Sequence, residues 1–177
     1  VLNRYHILIA IIPLVGITLA QHGPEIGKSA PYFNVTSGND EPLTLDMTTG
    51  KVTVIIYLSK NAIGKNRELT NELLEFYESQ EVSVKTGIIR AGIVNASDAI
   101  RLFIPIWKNR LMEQSKERGI TIFGDWNGAM LCDFNLLDDE SNVVIIDKCG
   151  IVRYYAFGKI ESARIEEIKQ ILADLLI

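Results

Sequence analysis

The sequence predicts one α/β domain: a central mixed β-sheet with helices on both faces, preceded by a lead-in hairpin. Two observations carry this. Strand-length apolar, β-branched runs alternate with amphipathic helical repeats in the order strand, helix, strand, helix, strand. The chain then changes to two strands joined by a turn too short for a crossover, followed by one last helix, so antiparallel strands must join parallel ones.

At the start, Arg4 precedes an almost wholly apolar run over residues 7–19, and Thr18, Leu19 and Ala20 form a site a signal peptidase accepts. The expectation is export to the periplasm with cleavage after Ala20, leaving residues 21–177 as the mature domain. The run of about 13 residues falls short of the roughly 20 that span a bilayer, and Pro13 and Gly16 weaken it further. A retained anchor is the alternative. The residue directly after Ala20 is Gln21 and not Cys, which argues against a lipid anchor, and no stable membrane insertion is expected once the leader is removed.

Residues 21–50 are rich in Gly, Pro and Asn, with Leu43, Thr44 and Leu45 as the short apolar stretch of a hairpin. Residues 52–58 are continuously apolar and β-branched, as in a central strand covered on both faces. Leu69, Leu73, Phe76 and Tyr77 then recur at helical spacing over 66–79, which predicts a helix packed on that strand. A second strand is expected at 86–94. The next helix carries Ile100, Ile104, Trp107 and Leu111 as its inward stripe, with Pro105 opening or kinking it. A short strand at 121–123 and a turn at Asp125, Trp126, Asn127 and Gly128 follow, then one or two helical turns at 129–134 and an exposed acidic loop of Asp138, Asp139 and Glu140. Residues 143–146 read as a buried strand turning through Lys148, Cys149 and Gly150 into its antiparallel partner at 151–157. Ile165, Ile168, Leu172 and Leu175 give the closing helix its inward face.

Together with that order, the segments 27–33, 50–52 and 145–152 resemble thioredoxin-like proteins of the peroxiredoxin and TlpA kind. The resemblance covers nearly the whole mature chain and implies a thioredoxin-like fold. In that family the first central strand runs into a CxxC or a single reactive Cys; laid on this sequence, the motif position falls on Ala62, Ile63, Gly64 and Lys65, with no sulfur. The position of the family's cis-proline falls on about Ser141. Residues 93–100, the turn at 125–128 and residues 141–152 further resemble the YtfJ family of bacterial periplasmic proteins, which also lacks the CxxC. What this resemblance implies is a redox-inactive envelope protein whose biochemical role is not established.

The composition narrows the chemistry. The chain has 177 residues and a net charge of −4, with no basic cluster of the kind that binds phosphate backbones, so nucleic acid is not an expected partner. After His22 there is no histidine, which removes Ser-His and Cys-His nucleophile pairs and His-rich metal sites together. There is no Walker loop or dinucleotide fingerprint, and no cofactor is implied.

Cys132, at the expected active-site end, is the candidate for a thiol-dependent oxidoreductase or peroxidase if a nearby cation lowers its pKa; the competing reading is a buried, inert thiol. Cys149 falls in a turn at the other end of a strand of about six residues, or roughly 20 Å, so no disulfide to Cys132 is expected. Lys60, Lys65 and Arg67 surround the first helix's N-terminus, which suits a small anion or an acidic peptide end, against the alternative of a solvated basic loop offset by the acidic loop. Asp125 and Asn127 lack EF-hand spacing and read as a turn, with no metal site expected. These features favour a binding protein, its partner being another envelope protein or a small anionic ligand, over an enzyme built on Cys132.

Overall fold

The computed structural model describes residues 22–62 and 64–177. Arg4, the apolar run, the cleavage position at Ala20, Ile63 and the Lys60 side chain lie outside the described residues. The strands are β1 (Asn34–Ser37), β2 (Pro42–Thr44), β3 (Val52–Leu58), β4 (Ile88–Asn95), β5 (Ile122–Asp125), β6 (Ser141–Ile146) and β7 (Val152–Phe157). The helices are α1 (Arg67–Ser79), the single turn α2 (Val82–Lys85), α3 (Ile104–Arg118), α4 (Ala129–Asp133) and α5 (Ser162–Leu176). All seven strands form one sheet in the order β2-β1-β5-β4-β3-β6-β7. β3, β4 and β5 are parallel to one another, and the other pairs are antiparallel.

The sequence runs explain their places. β3 and β6 lie inside the sheet with both faces covered, so a run without polar alternation is what such a strand requires. On one face Phe33, Ile55, Tyr57, Ile93, Phe134 and Val144 belong to a single cluster beneath α4 and the lead-in segment. On the other, α1 and α5 cover β3 and β6 through Leu69, Leu73, Val143, Ile145, Ile165 and Ile168, while α3 sits apart, its Leu111 clustered with Val94 and Ile122.

The inward stripe expected from Ile100 to Leu111 is corrected. Pro105 stands in the first turn of α3, and a separate 3-10 turn, Arg101–Phe103, precedes the helix with Ile100 as its cap; Ile100 is 65% exposed and Leu111 is the buried residue of the helix. β1 and α2, four residues each, are too short to show a period in the sequence. Asp125 is not a turn residue but the buried end of β5. Among the described residues no helix is long and apolar enough to cross a membrane.

Candidate functional site

The carboxyl ends of β3, β4 and β5 meet the acidic loop at one edge of the sheet, where open α/β sheets bind their ligands. Ser59, just past β3, is buried, and its hydroxyl donates to Asp138 Oδ1 at 2.5 Å. Asn95 Nδ2 at the end of β4 donates to the same oxygen at 3.3 Å, and Asn61 Nδ2 donates to Asp139 Oδ1 at 2.8 Å. The Ser59 hydrogen bond, helped by the backbone N–H of Asp139, holds the Asp138 carboxyl below its usual range. These residues line a small pocket with Asp98, Ala99 and Trp107. Among the described residues no group of three or more His, Cys, Asp or Glu is placed to hold a metal.

The predicted motif position contributes structure at this edge. Ala62 is fully buried; Gly64 takes a left-handed φ of 88° in the turn before α1. Lys65 pairs with Glu140, tying this turn to the acidic loop. Arg67 instead lines a cleft between α1 and α3 with Leu58, Thr70, Leu74, Glu117 and Arg118. Lys65 and Arg67 thus face different surroundings, and the nearer pocket is lined by carboxylates.

Asn66, expected only as the first residue of a helix, is the polar joint of this end. Its Nδ2 donates to Ser141 Oγ and to the Gly158 carbonyl, each at 2.8 Å, and its Oδ1 accepts the Ile160 N–H at 2.8 Å. All three bonds join α1 to β6 and to the β7–α5 connection, and Asn66 and Ser141 are both buried. A buried amide so completely satisfied fixes the elements it bridges. The only sequence signal for it is an Asn immediately before an amphipathic helix.

Tyr57 and Asp125 form a second buried joint. The Tyr57 hydroxyl donates to Asp125 Oδ2 at 3.0 Å, and the Leu131 N–H donates to the same oxygen at 3.1 Å. Burial, and then the Asp125 charge, push the Tyr57 hydroxyl well above its usual range, so it remains a donor. This joint anchors the start of α4 to β5. Met130 is the buried residue of that five-residue helix, and Cys132, two positions on, points outward. The reading of Cys132 as buried is therefore corrected: both Cys132 and Cys149 are exposed free thiols. Cys149 lies in the β6–β7 turn, where its N–H donates to Asp147 Oδ1 at 2.8 Å.

Three solved structures share the fold. A candidate thiol:disulfide interchange protein DsbE from Chlorobium tepidum superposes with a TM-score of 0.64 at 16% identity, covering 87% of this chain and 99% of that one. A peroxiredoxin-like protein from Aquifex aeolicus gives 0.64 at 18% identity over 90% and 92% of the two chains. The fold is thioredoxin-like. A thiol peroxidase from Chromobacterium violaceum carries the same fold, with a TM-score of 0.62 at 14% identity over 86% of this chain and 88% of that one. No family model matches the chain, and no curated protein matches its sequence. At such identities the likeness is one of thioredoxin-like fold, and function must be argued from residues.

Beside the pocket, this thioredoxin-like chain leaves large apolar side chains in water. Ile100, Leu102, Phe103 and Ile106 are 65%, 79%, 45% and 52% exposed. They flank Ala99 and Trp107, which line the pocket itself.

Proposed function

We propose that the chain is an exported accessory protein of the bacterial envelope, of the YtfJ type, that works by binding another protein and not by thiol–disulfide exchange. The observation that carries this reading is the apolar patch of Ile100, Leu102, Phe103 and Ile106 beside the strand ends. Four large apolar residues exposed within one short segment, residues 100–106, cost solvation, and exposed apolar patches mark interaction surfaces. The sulfur-free motif position agrees, because thiol exchange needs a thiolate there and Ala62 and Lys65 supply none. Its test is a photo-cross-linker at position 102 in intact cells. A discrete adduct that disappears with Phe103→Glu is the expected result; no adduct from position 102 would sink the reading. The alternative occupant is a small anion near Lys60, Lys65 and Arg67, for which Lys65 would have to leave Glu140; loss of phosphate or acetate binding in Lys65→Glu would support it.

The exposure of Cys132 favours a second reading, a thiol-dependent oxidoreductase or peroxidase. Titration with a thiol reagent before and after peroxide, followed by intact mass, separates the two. Rapid sulfenylation at Cys132 that Cys132→Ser abolishes together with peroxide turnover would support the enzyme. Slow reaction at both thiols, with no turnover, would support the binding protein.

A further inference from the structure

Ile56, Gly92 and Ile122 stand side by side on β3, β4 and β5, on the face of the sheet that carries α1 and α3. Gly92 therefore lies between the cluster under α1 and α5 and the cluster under α3, to which its row-mate Val94 belongs, and the two clusters do not merge across it. What remains is a seam floored by Ile56, Leu58 and Gly92, all half-buried, and walled by Leu74 of α1 and by Ile120. It runs along α1 from Arg67 to Tyr77, about 15 Å at the helical rise.

Nothing in the backbone demands glycine at position 92. Its φ is not left-handed, and an added Cβ would meet Ile122 Cγ1 at 3.6 Å and Ile120 Cδ1 at 3.7 Å, ordinary contact distances. A glycine inside a central strand weakens it, and where neither turn nor crowding requires one, the vacated volume is the feature it provides. The seam's lower part, with Val54, Leu73, Phe76 and Ile88, is apolar. Its upper part is polar: Arg67 and Arg118 are exposed, and neither has an ion pair among the described residues, with Glu117 as the carboxylate beside them. Arg90, at the lower end, is stacked on Tyr77 with its guanidinium carbon 3.8 Å from the ring centre.

We propose that this seam binds a single-chain fatty carboxylate, its head on Arg67 and Arg118 and its hydrocarbon lying over Gly92 toward Phe76. Charge complementarity selects an anionic head, since a carboxylate accepts two parallel N–H bonds from a guanidinium. The floor selects the tail: Ile56, Leu58 and Gly92 continue into Val54, Leu73 and Phe76, so an extended hydrocarbon chain finds apolar contact along the length of the seam. This site is independent of the apolar patch and of Cys132.

The test is calorimetric titration of the purified chain with dodecanoate, with 1-dodecanol as the uncharged probe and phosphatidylglycerol vesicles as the membrane source. One dodecanoate per chain, binding at least tenfold tighter than dodecanol, is expected. Gly92→Leu should abolish it by filling the floor, and Arg118→Gln should weaken it about tenfold, as loss of a charge-assisted pair does. Leu74→Asp, at a 37% exposed position, places a like charge at the wall without touching the core and should also abolish binding, so the proposal stands or falls even if Gly92→Leu fails to fold. Absence of saturable dodecanoate binding, binding unchanged in Leu74→Asp, or binding to vesicles alone would overturn it.

Discussion

The two faces of the sheet are built to different standards. Beneath α4 and the lead-in segment, apolar residues of every strand from β3 to β6 join one buried cluster, with Phe33 and Phe134 edge to face at 5.9 Å between ring centres. Beneath α1, α3 and α5 the apolar layer is divided at Gly92. The closed face carries the fold and holds the strand ends in place through Tyr57 and Asp125. The divided face buries its apolar residues in two separate clusters, and the seam between them is where the molecule has room for something else.

The largest effect should come from the closed face. Phe134→Ala removes a fully buried ring from the largest cluster, where it meets Phe33 of the lead-in segment edge to face, and should cost about 3–5 kcal/mol in denaturant unfolding. Leu111→Ala under α3 should cost less, near the lower end of the roughly 2–5 kcal/mol range, because its cluster is small and borders the open seam. Equal losses at the two positions would mean the faces are packed alike.

Next is the polar joint at the site. Asn66→Ala strands the Gly158 carbonyl, the Ile160 N–H and the Ser141 hydroxyl at once, and should cost about 2–3 kcal/mol. Asn66→Asp keeps the acceptor for Ile160 but sets a carboxylate against the Gly158 carbonyl, so it should not rescue the loss. A full rescue by Asp would show that the Nδ2 bonds contribute nothing.

Long elements were legible in the sequence because burial on one or two faces imposes a period or its absence. β3, α1, β6, the β6–β7 hairpin and α5 all follow from sustained apolar runs, from periodic stripes, or from a turn between two such runs. The errors fall where a side chain's direction depends on distant partners. Ile100 and Cys132 sit beside short turns whose phase no local pattern sets, and both point outward. Asp125 reads as a turn residue until Tyr57, remote in sequence, is seen to bury it. The site shared this limit: the absence of sulfur was plain, whereas the division of Lys65 and Arg67 between two surroundings depends on where Glu140 and α3 come to lie.

The far end of the closed face offers a pH test. Burial would raise the Asp147 carboxyl, but the N–H groups of Ile151 and Cys149 and the Arg153 guanidinium outweigh it, so its pKa lies below the ordinary 3.8. A carboxyl depressed on folding contributes stability that is complete above its unfolded pKa and is lost as pH falls through the folded value. The wild type should therefore lose stability below about pH 4 with a steeper slope than Asp147→Asn, read from denaturation midpoints between about pH 2 and 6. Identical slopes would mean that the turn does not hold the ionised form.

The smallest effect probes the divided face alone. Glycine freedom lost on folding is restored as stability when alanine fits the same backbone, by about 0.4–1 kcal/mol. At Gly92 it fits, with ordinary contacts to Ile120 and Ile122, so Gly92→Ala should raise the denaturation midpoint slightly. Gly124 lies one strand over on the same face, and there a Cβ would fall 2.6 Å from the Trp126 ring, whose Nε1 is held by Thr36, so Gly124→Ala should destabilise. Opposite signs at two neighbouring glycines would mean that one is required by packing and the other is not. If both destabilise, Gly92 is as closely packed as Gly124, and the seam over it is not open space.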